Sequence, residues 1–248
     1  MLLEVNKLNL WYGNRHTLKD INFSVNSGEI LCIVGESGSG KSSILLSIMG
    51  LLPKTARLEG SVKFKGQELL GLSEEHCIKL RGRHISMVFQ EPSVYLDPLF
   101  PIGTQVEEAY IAHFGKSGAE ERALQALKDA GIKNAETIYR MYPHHLSGGM
   151  KQRVCIAIAT VCDPDLILAD EPTTALDVSM QGKILALFRE IKNKGKAVIL
   201  VTHDFGVVAE VADRVIVLKD GYIVEHKDVF GIFENPEHPY TKELLSSI

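Results

Sequence analysis

The sequence predicts an α/β fold, and two observations carry that prediction. Short, mostly apolar and β-branched runs recur at 30–34 (ILCIV), 85–89 (ISMVF), 166–169 (LILA), 197–201 (AVILV) and 214–218 (RVIVL). Continuous runs of this length fit strands of a parallel sheet buried on both faces. Helical text lies between several of them: KSSILLSIMGLL follows the first, and SMQGKILALFREIKNK precedes the fourth and is closed by Gly195 as a C-terminal cap.

The remaining elements follow in order. Residues 1–25 alternate more, as in LEVNKLNL and INFSV, which suits half-exposed antiparallel strands. Between Phe89 and Leu166 the rhythm breaks: AEERALQALKDAG and its surroundings are compatible with helix, and no comparable apolar strand interrupts them. This stretch reads as a helical insertion. Near the end, Asp220 and Gly221 stand between RVIVLK and YIVE, a two-residue hairpin signal. The expected division is a core of 1–89 and 157–235 that includes an antiparallel β subdomain, a helical subdomain of 90–156, and a C-terminal helix of 236–248.

A chain of 248 residues can hold one large domain or a core with an inserted subdomain. Its 45% hydrophobic and 23% charged residues are the balance of a globular protein. A net charge of −4 argues against broad attraction to nucleic acid, so any phosphate must be held locally. The start, MLLEVNKLNLWYG, has no basic segment followed by an apolar run and a cleavage site, and so does not read as a signal peptide. No apolar run approaches the roughly 20 residues that span a bilayer, so a membrane role would need another chain to do the crossing. Cys32, Cys77, Cys155 and Cys162 lack metal-binding spacing and read as buried free thiols in a reducing compartment. The adjacent His144 and His145 are expected on different sides of any regular element, solvated rather than ligating.

The strongest motif is Gly35-Glu36-Ser37-Gly38-Ser39-Gly40-Lys41-Ser42, a GxxxxGK[ST] loop between an expected strand and an expected helix. Glycines let the backbone turn its amides inward, and the helix N-terminus adds positive partial charge, so a polyphosphate meets several donors at once. Lys41 is the expected partner of the β and γ phosphates, and Ser42 of Mg²⁺. The loop alone does not separate kinases, GTPases, helicases and transport ATPases. LILADE then places two acids at a strand end: Asp170 to hold the magnesium through water, and Glu171 to polarise an attacking water. His203 and Gln90 also follow apolar runs, where open α/β sheets put their ligand sites, and are candidates to contact the γ phosphate and to sense metal and water.

Leu146-Ser147-Gly148-Gly149-Met150-Lys151-Gln152-Arg153 resembles the signature motif of ABC ATPases. Physically, Ser147, Gly148 and Gly149 can place a hydroxyl and amides at a helix start, a second anion site. The resemblance implies that this site acts in trans, on ATP held by a partner subunit's cradle. It covers nearly the whole chain and implies Tyr12 as the aromatic stacked on adenine, Gln90 as the Q-loop, Ala175-Leu176-Asp177 as the D-loop, and His203 as the switch histidine. It also implies a P-loop NTPase (RecA-like) core, with nucleotide contacts at Gly35, Ser37, Gly38, Ser39, Gly40, Lys41, Ser42, Ser43, Gln90, Ser147, Gly148, Gly149 and Asp177. Ser42, Gln90 and Asp170 are the implied Mg²⁺ ligands; Glu171 and His203 are the implied catalytic pair.

GESGSGKS, FQEPSVYLDPLFPIG, YPHHLSGGMKQR, ADEPTTALDV and NPEHPYTKELL look like the ATPases of oligopeptide, dipeptide and nickel importers. The resemblance implies a subunit at the cytoplasmic face of the cell membrane. Its implied partners are a second, different ATPase subunit, two transmembrane permeases and an extracytoplasmic substrate-binding protein, with no nucleic acid. Pro239 and Tyr240 are expected to close the fold. Many peptide-importing relatives continue into a cysteine-bearing extension, and the end at Ile248 tilts the expected cargo toward nickel or another metal complex, with a short peptide-type subunit left open. The alternatives are a soluble ABC ATPase of translation or DNA repair, and a non-catalytic nucleotide sensor.

Overall fold

The computed structural model describes residues 1–174 and 176–246. Ala175 of the expected D-loop, and Ser247 and Ile248 of the expected C-terminal helix, lie outside the described residues. The chain forms two compact units, one of Met1–Cys77 with Ile191–Ile248 and one of Ile78–Glu190. The first begins with β1 (Leu3–Tyr12), β2 (Arg15–Val25), β3 (Ile30–Val34), α1 (Lys41–Met49), β4 (Ala56–Phe64) and β5 (Gln67–Glu68), before α2 (Glu74–Leu80). The second holds β6 (Ile85–Val88), α3 (Pro92–Tyr95), α4 (Ile102–Phe114), α5 (Ala119–Asp129), α6 (Ala135–Tyr139), α7 (Gly148–Thr160), β7 (Leu166–Asp170) and most of α8 (Val178–Asn193). The chain returns to the first unit with β8 (Ala197–Thr202), α9 (Phe205–Val211), β9 (Arg214–Lys219), β10 (Tyr222–Asp228), α10 (Val229–Glu234) and α11 (Pro239–Ser246).

In the first unit, β3 pairs in parallel with β8, from Ile30 opposite Val198 to Val34 opposite Thr202, and with β9 on its other edge. Every residue of β3 and β8 is buried. Each Val, Leu or Ile so covered is worth about 1.5–3 kcal/mol over exposure, which is why these runs read as strands. At the β9–β10 turn Asp220 and Gly221 take φ 49 and 80, the left-handed pair of a type I′ hairpin. The helix expected through Leu52 stops at Met49, because the Gly50 N–H returns to the Ser47 carbonyl.

The separate antiparallel sheet runs β2-β1-β4-β5. The sequence reading leaves its strand β4 unassigned. Arg57, Glu59 and Lys63 occupy an open face in alternation with Leu58, Val62 and Phe64, and the register slip between Asn6 opposite Ser61 and Asn9 opposite Glu59 puts the extra residue in β1, where Lys7 takes φ 47.

In the second unit β6 and β7 pair in parallel, Ile85 opposite Leu166 through Val88 opposite Ala169. The helices close over a core that includes Ile102, Val106, Ala123, Leu127, Val154 and Ala157. Phe89, expected in the strand, leaves it and stacks on Tyr95 with ring centroids 4.1 Å apart. The expectation that His144 and His145 diverge is corrected. Both are exposed in a single 3₁₀ turn, Pro143–His145, with ring centroids 4.1 Å apart, because the His145 ring turns back toward the Tyr142 N–H. Of the four thiols Cys32 and Cys162 are buried and Cys77 and Cys155 only partly so.

Candidate functional site

In the first unit the loop 35–42 links the buried end of β3 to α1. Gly35 sits at φ 155, and a Cβ there would lie 2.2 Å from the Leu218 carbonyl oxygen, so backbone on β9 leaves room for hydrogen only. The loop is closed from within. Ser39 N–H donates to the Glu36 carbonyl at 3.2 Å, and Gly221 N–H, from the hairpin, donates to the Ser39 carbonyl at 3.1 Å.

Lys41 is buried at 5% exposure, and its Nζ donates to the carbonyls of Gly35 at 2.8 Å and Glu36 at 2.9 Å. A buried ammonium held at the mouth of a glycine-rich loop is a donor of the kind that binds anions strongly. Ser39 Oγ is buried and has no hydrogen-bond partner among the described residues. An orphaned hydroxyl and a buried ammonium, both carried by one loop that opens a helix, fit phosphate oxygens. Ser37 and Gly38 are exposed at the loop tip, and Ser42 is exposed on the first turn of α1. Tyr12, the last residue of β1, places its hydroxyl 3.5 Å from Ser43 Oγ. Its neighbour Trp11 is engaged elsewhere, stacked on His16 at 4.2 Å with the Arg57 guanidinium 4.1 Å over its ring.

His203 is exposed just past β8. The turn that carries it is fixed on both sides: Asp204 N–H donates to Thr202 Oγ1 at 3.0 Å, and Asp204 Oδ1 caps α9 through the Gly206 N–H at 2.7 Å.

In the second unit Asp170 ends β7 buried at 8% exposure, and Glu171 follows half-buried at φ 43, a left-handed conformation that a non-glycine residue rarely takes. Glu171 Oε2 accepts from Gln90 Nε2 at 3.1 Å and from Thr174 Oγ1 at 2.9 Å. Gln90 and Glu171, 81 positions apart, are thus brought together directly. Thr174 is a partner that sequence reasoning missed; a hydroxyl three residues past an acid at a strand end is the local signal that points to it. Ser147 is the N-cap of α7, its Oγ accepting from Met150 N–H at 3.4 Å, with Ser147 and Gly148 exposed. Gly149 is buried, and a Cβ there would meet Met180 Cε at 2.3 Å. Asp177, exposed, accepts on Oδ1 from the Met180 N–H at 2.9 Å and so caps α8. Among the described residues no helix is long and apolar enough to cross a membrane.

Residues 18–174 match the family described as "ABC transporter". The chain is 45% identical, over its full length and 78% of the relative's, to the oligopeptide transport ATP-binding protein AppD of Bacillus subtilis. It is 43% identical to OppD of Salmonella typhimurium, covering 76% of that protein, and 43% identical to the dipeptide transport protein DppD of Escherichia coli, covering 78%. These relatives are named for peptide transport, so the tilt toward nickel, and the readings in translation or repair, draw no support from them. Among solved structures, the ATP-binding cassette MJ0796 in a dimeric, post-hydrolysis state with ADP and Pi matches with a TM-score of 0.80 at 33% identity, covering 92% of this chain and 99% of that one. The cbiO1 subunit from Clostridium perfringens, part of the cbiONQ complex, matches with a TM-score of 0.82 at 30% identity, covering 94% and 91%. With its phosphate cradle, its acid pair past β7 and this similarity along its whole length, the chain belongs to the ABC transporter family as one of its ATPases.

Proposed function

We propose that this chain is the ATP-hydrolysing subunit of an importer of short peptides. The observation that carries the cargo is the match of the entire chain, at 43–45% identity, to relatives named for oligopeptide and dipeptide transport. Two permeases, a second ATPase subunit and an extracytoplasmic binding protein complete the transporter, with this chain at the cytoplasmic face of the membrane.

The adenine stacks on Tyr12, and the phosphates lie in the cradle from Gly35 to Ser43. Lys41 moves its ammonium from the loop carbonyls to the β and γ phosphates, and Ser39 Oγ gains its missing partner. Ser42, Asp170 and the amide oxygen of Gln90 are oxygen donors of the kind Mg²⁺ prefers. When bound, the ion neutralises charge on the phosphates. Glu171, held by Gln90 and Thr174, takes the proton of the attacking water, and His203 holds the γ phosphate in line. Ser147, Gly148 and Gly149 close on ATP held by the partner ATPase, and Asp177 lies in that interface.

Past Gln90 the second unit exposes Val94, Tyr95, Leu99 and Phe100, the last two at 79% and 47%. Four large apolar side chains left in water within seven positions suit a permease segment docking there. Gln90 then connects that dock to Glu171 through one hydrogen bond.

Uptake separates the cargoes. In a strain lacking this chain, labelled di- and oligopeptide uptake falls to background and returns with the wild-type chain but not with Lys41→Ala. Intact peptide uptake alongside lost nickel uptake overturns the peptide reading.

A further inference from the structure

The cradle is tied to a distant part of the chain. Tyr240, at the start of α11 and only 2% exposed, accepts a hydrogen bond on its hydroxyl from the Glu36 backbone N–H at 3.1 Å, across 204 positions. The same Glu36 residue turns its carbonyl to Lys41 Nζ at 2.9 Å and to the Ser39 N–H at 3.2 Å. The Glu36 N–H shares its peptide plane with the Gly35 carbonyl, which Lys41 Nζ binds at 2.8 Å, so that one peptide is held by Tyr240 at its N–H and by the lysine of the cradle at its oxygen.

Tyr240 is itself clamped. The buried Glu225 carboxylate on β10 accepts from the N–H groups of Glu237 at 2.8 Å and His238 at 3.0 Å, directly before α11. Lys227 binds both Glu225 and Glu237, at 3.3 and 2.8 Å, and donates to the Asn235 carbonyl at 2.8 Å. Lys219 Nζ sits 4.3 Å from the Tyr240 ring centroid, a cation–π contact that fixes the ring's face. Chain closure alone needs an apolar ring here; it does not need a phenol oxygen aimed at a loop amide.

We infer that Tyr240 is a positioning residue of the phosphate cradle, acting through the Gly35–Glu36 peptide to set where Lys41 meets the nucleotide phosphates. This rests on the cradle binding ATP as proposed above. Without the phenol oxygen the Gly35–Glu36 peptide is free to rotate, its Gly35 carbonyl swings off Lys41, and the ammonium loses a defined origin. The residue touches no reacting atom, so its effect falls on affinity for phosphates and not on adenine. Burial pushes the Tyr240 phenol above its ordinary range, with the Glu36 and Asp220 carboxylates adding to the effect, so the hydroxyl stays protonated and the tether is constant across neutral pH.

The test uses the full chain, with affinity for Mg-ATP and for adenosine measured by displacement of a fluorescent nucleotide. Tyr240→Phe keeps the ring and its packing and removes only the hydroxyl. ATP affinity is expected to fall about 3- to 10-fold, the size of one net hydrogen bond, with adenosine affinity unchanged. In a Lys41→Ala background the same substitution is expected to produce no further loss, because the pathway to the phosphates is already cut. Equal ATP affinity of Tyr240→Phe and wild type, or additive losses in the double variant, overturns the inference. That coupling decides the matter whatever either variant's melting temperature. An unaltered ATP affinity in Lys41→Ala alone instead removes the cradle reading beneath it.

Discussion

Glu171 shows what the structure adds to a single residue. Its φ of 43 is strained for a side chain with a Cβ, at a cost of order 1–3 kcal/mol, and strain of that kind persists where surrounding bonds over-determine the conformation. Gln90 and Thr174 supply those bonds, and both end on Oε2. Removing the charge while keeping the shape, Glu171→Gln, is expected to leave ATP affinity within about 3-fold and cut turnover by 10²- to 10⁴-fold, the range of a lost general base. A phosphate-release assay on the reconstituted transporter reads this, and unaltered turnover takes Glu171 out of the role. Gly35 gives a second residue-scale expectation. Its Cβ position is filled by the Leu218 carbonyl oxygen at 2.2 Å, and backbone in a paired strand does not yield as a side-chain tip does. Gly35→Ala is therefore expected to lose upward of about 2 kcal/mol of stability together with nucleotide binding. A variant that melts like wild type and still binds ATP contradicts the tight approach of the loop to β9.

At the scale of elements, α11 depends on Glu225. Burial opposes charge on this carboxyl, but the Thr241 hydroxyl beside it, the Glu237 and His238 N–H groups and Lys227 outweigh burial and bring its pKa down to about 2. A carboxyl lowered on folding stabilises the native state once pH exceeds its unfolded value near 4.5, and that contribution disappears as pH falls toward 2. The lowering is worth about 3 kcal/mol at neutral pH. Glu225→Gln is expected to melt several degrees below wild type at pH 7, with the gap closing between about pH 4.5 and 2. A gap that stays constant down to pH 2 shows that the clamp is not electrostatic. This element also marks the limit of what the sequence reveals. The five apolar runs and the Asp220–Gly221 turn are legible because their signal lies within a few consecutive residues. The β4 strand is not, since Gly60 and Ser61 in its middle dilute the apolar face that marks a strand. The link from Tyr240 to Glu36 is not either: no local pattern specifies a contact across 204 positions, and the tyrosine reads as packing. The motif residues of the site could be named from sequence, yet only coordinates show Gln90 and Thr174 converging on one oxygen of Glu171.

For the molecule as a whole, each chain carries a cradle and, on another element, an exposed N-cap at Ser147 with α7 behind it. The second of these is chemically a place for an anion. Such a half-site has a use when a second ATPase brings a nucleotide to it, and the dimeric state of the similar cassette with ADP and Pi is in keeping with that arrangement. Under the proposed function nucleotide acts as an interface component, and affinity between subunits is expected to follow ATP occupancy. Glu171→Gln, which stops the reaction after binding, is expected to shift the chain and its partner ATPase to a stable dimer in Mg-ATP, seen by sedimentation, and back to monomers when nucleotide is removed. Adding Ser147→Arg puts a long cation where the hydroxyl caps α7. It costs about 1 kcal/mol in lost capping but leaves the cradle of its own chain intact. That double variant is expected to bind ATP normally and remain monomeric at the same concentration. If it still dimerises with ATP, the Ser147 segment is not the surface that closes on the partner's nucleotide, and the trans arrangement must use other residues.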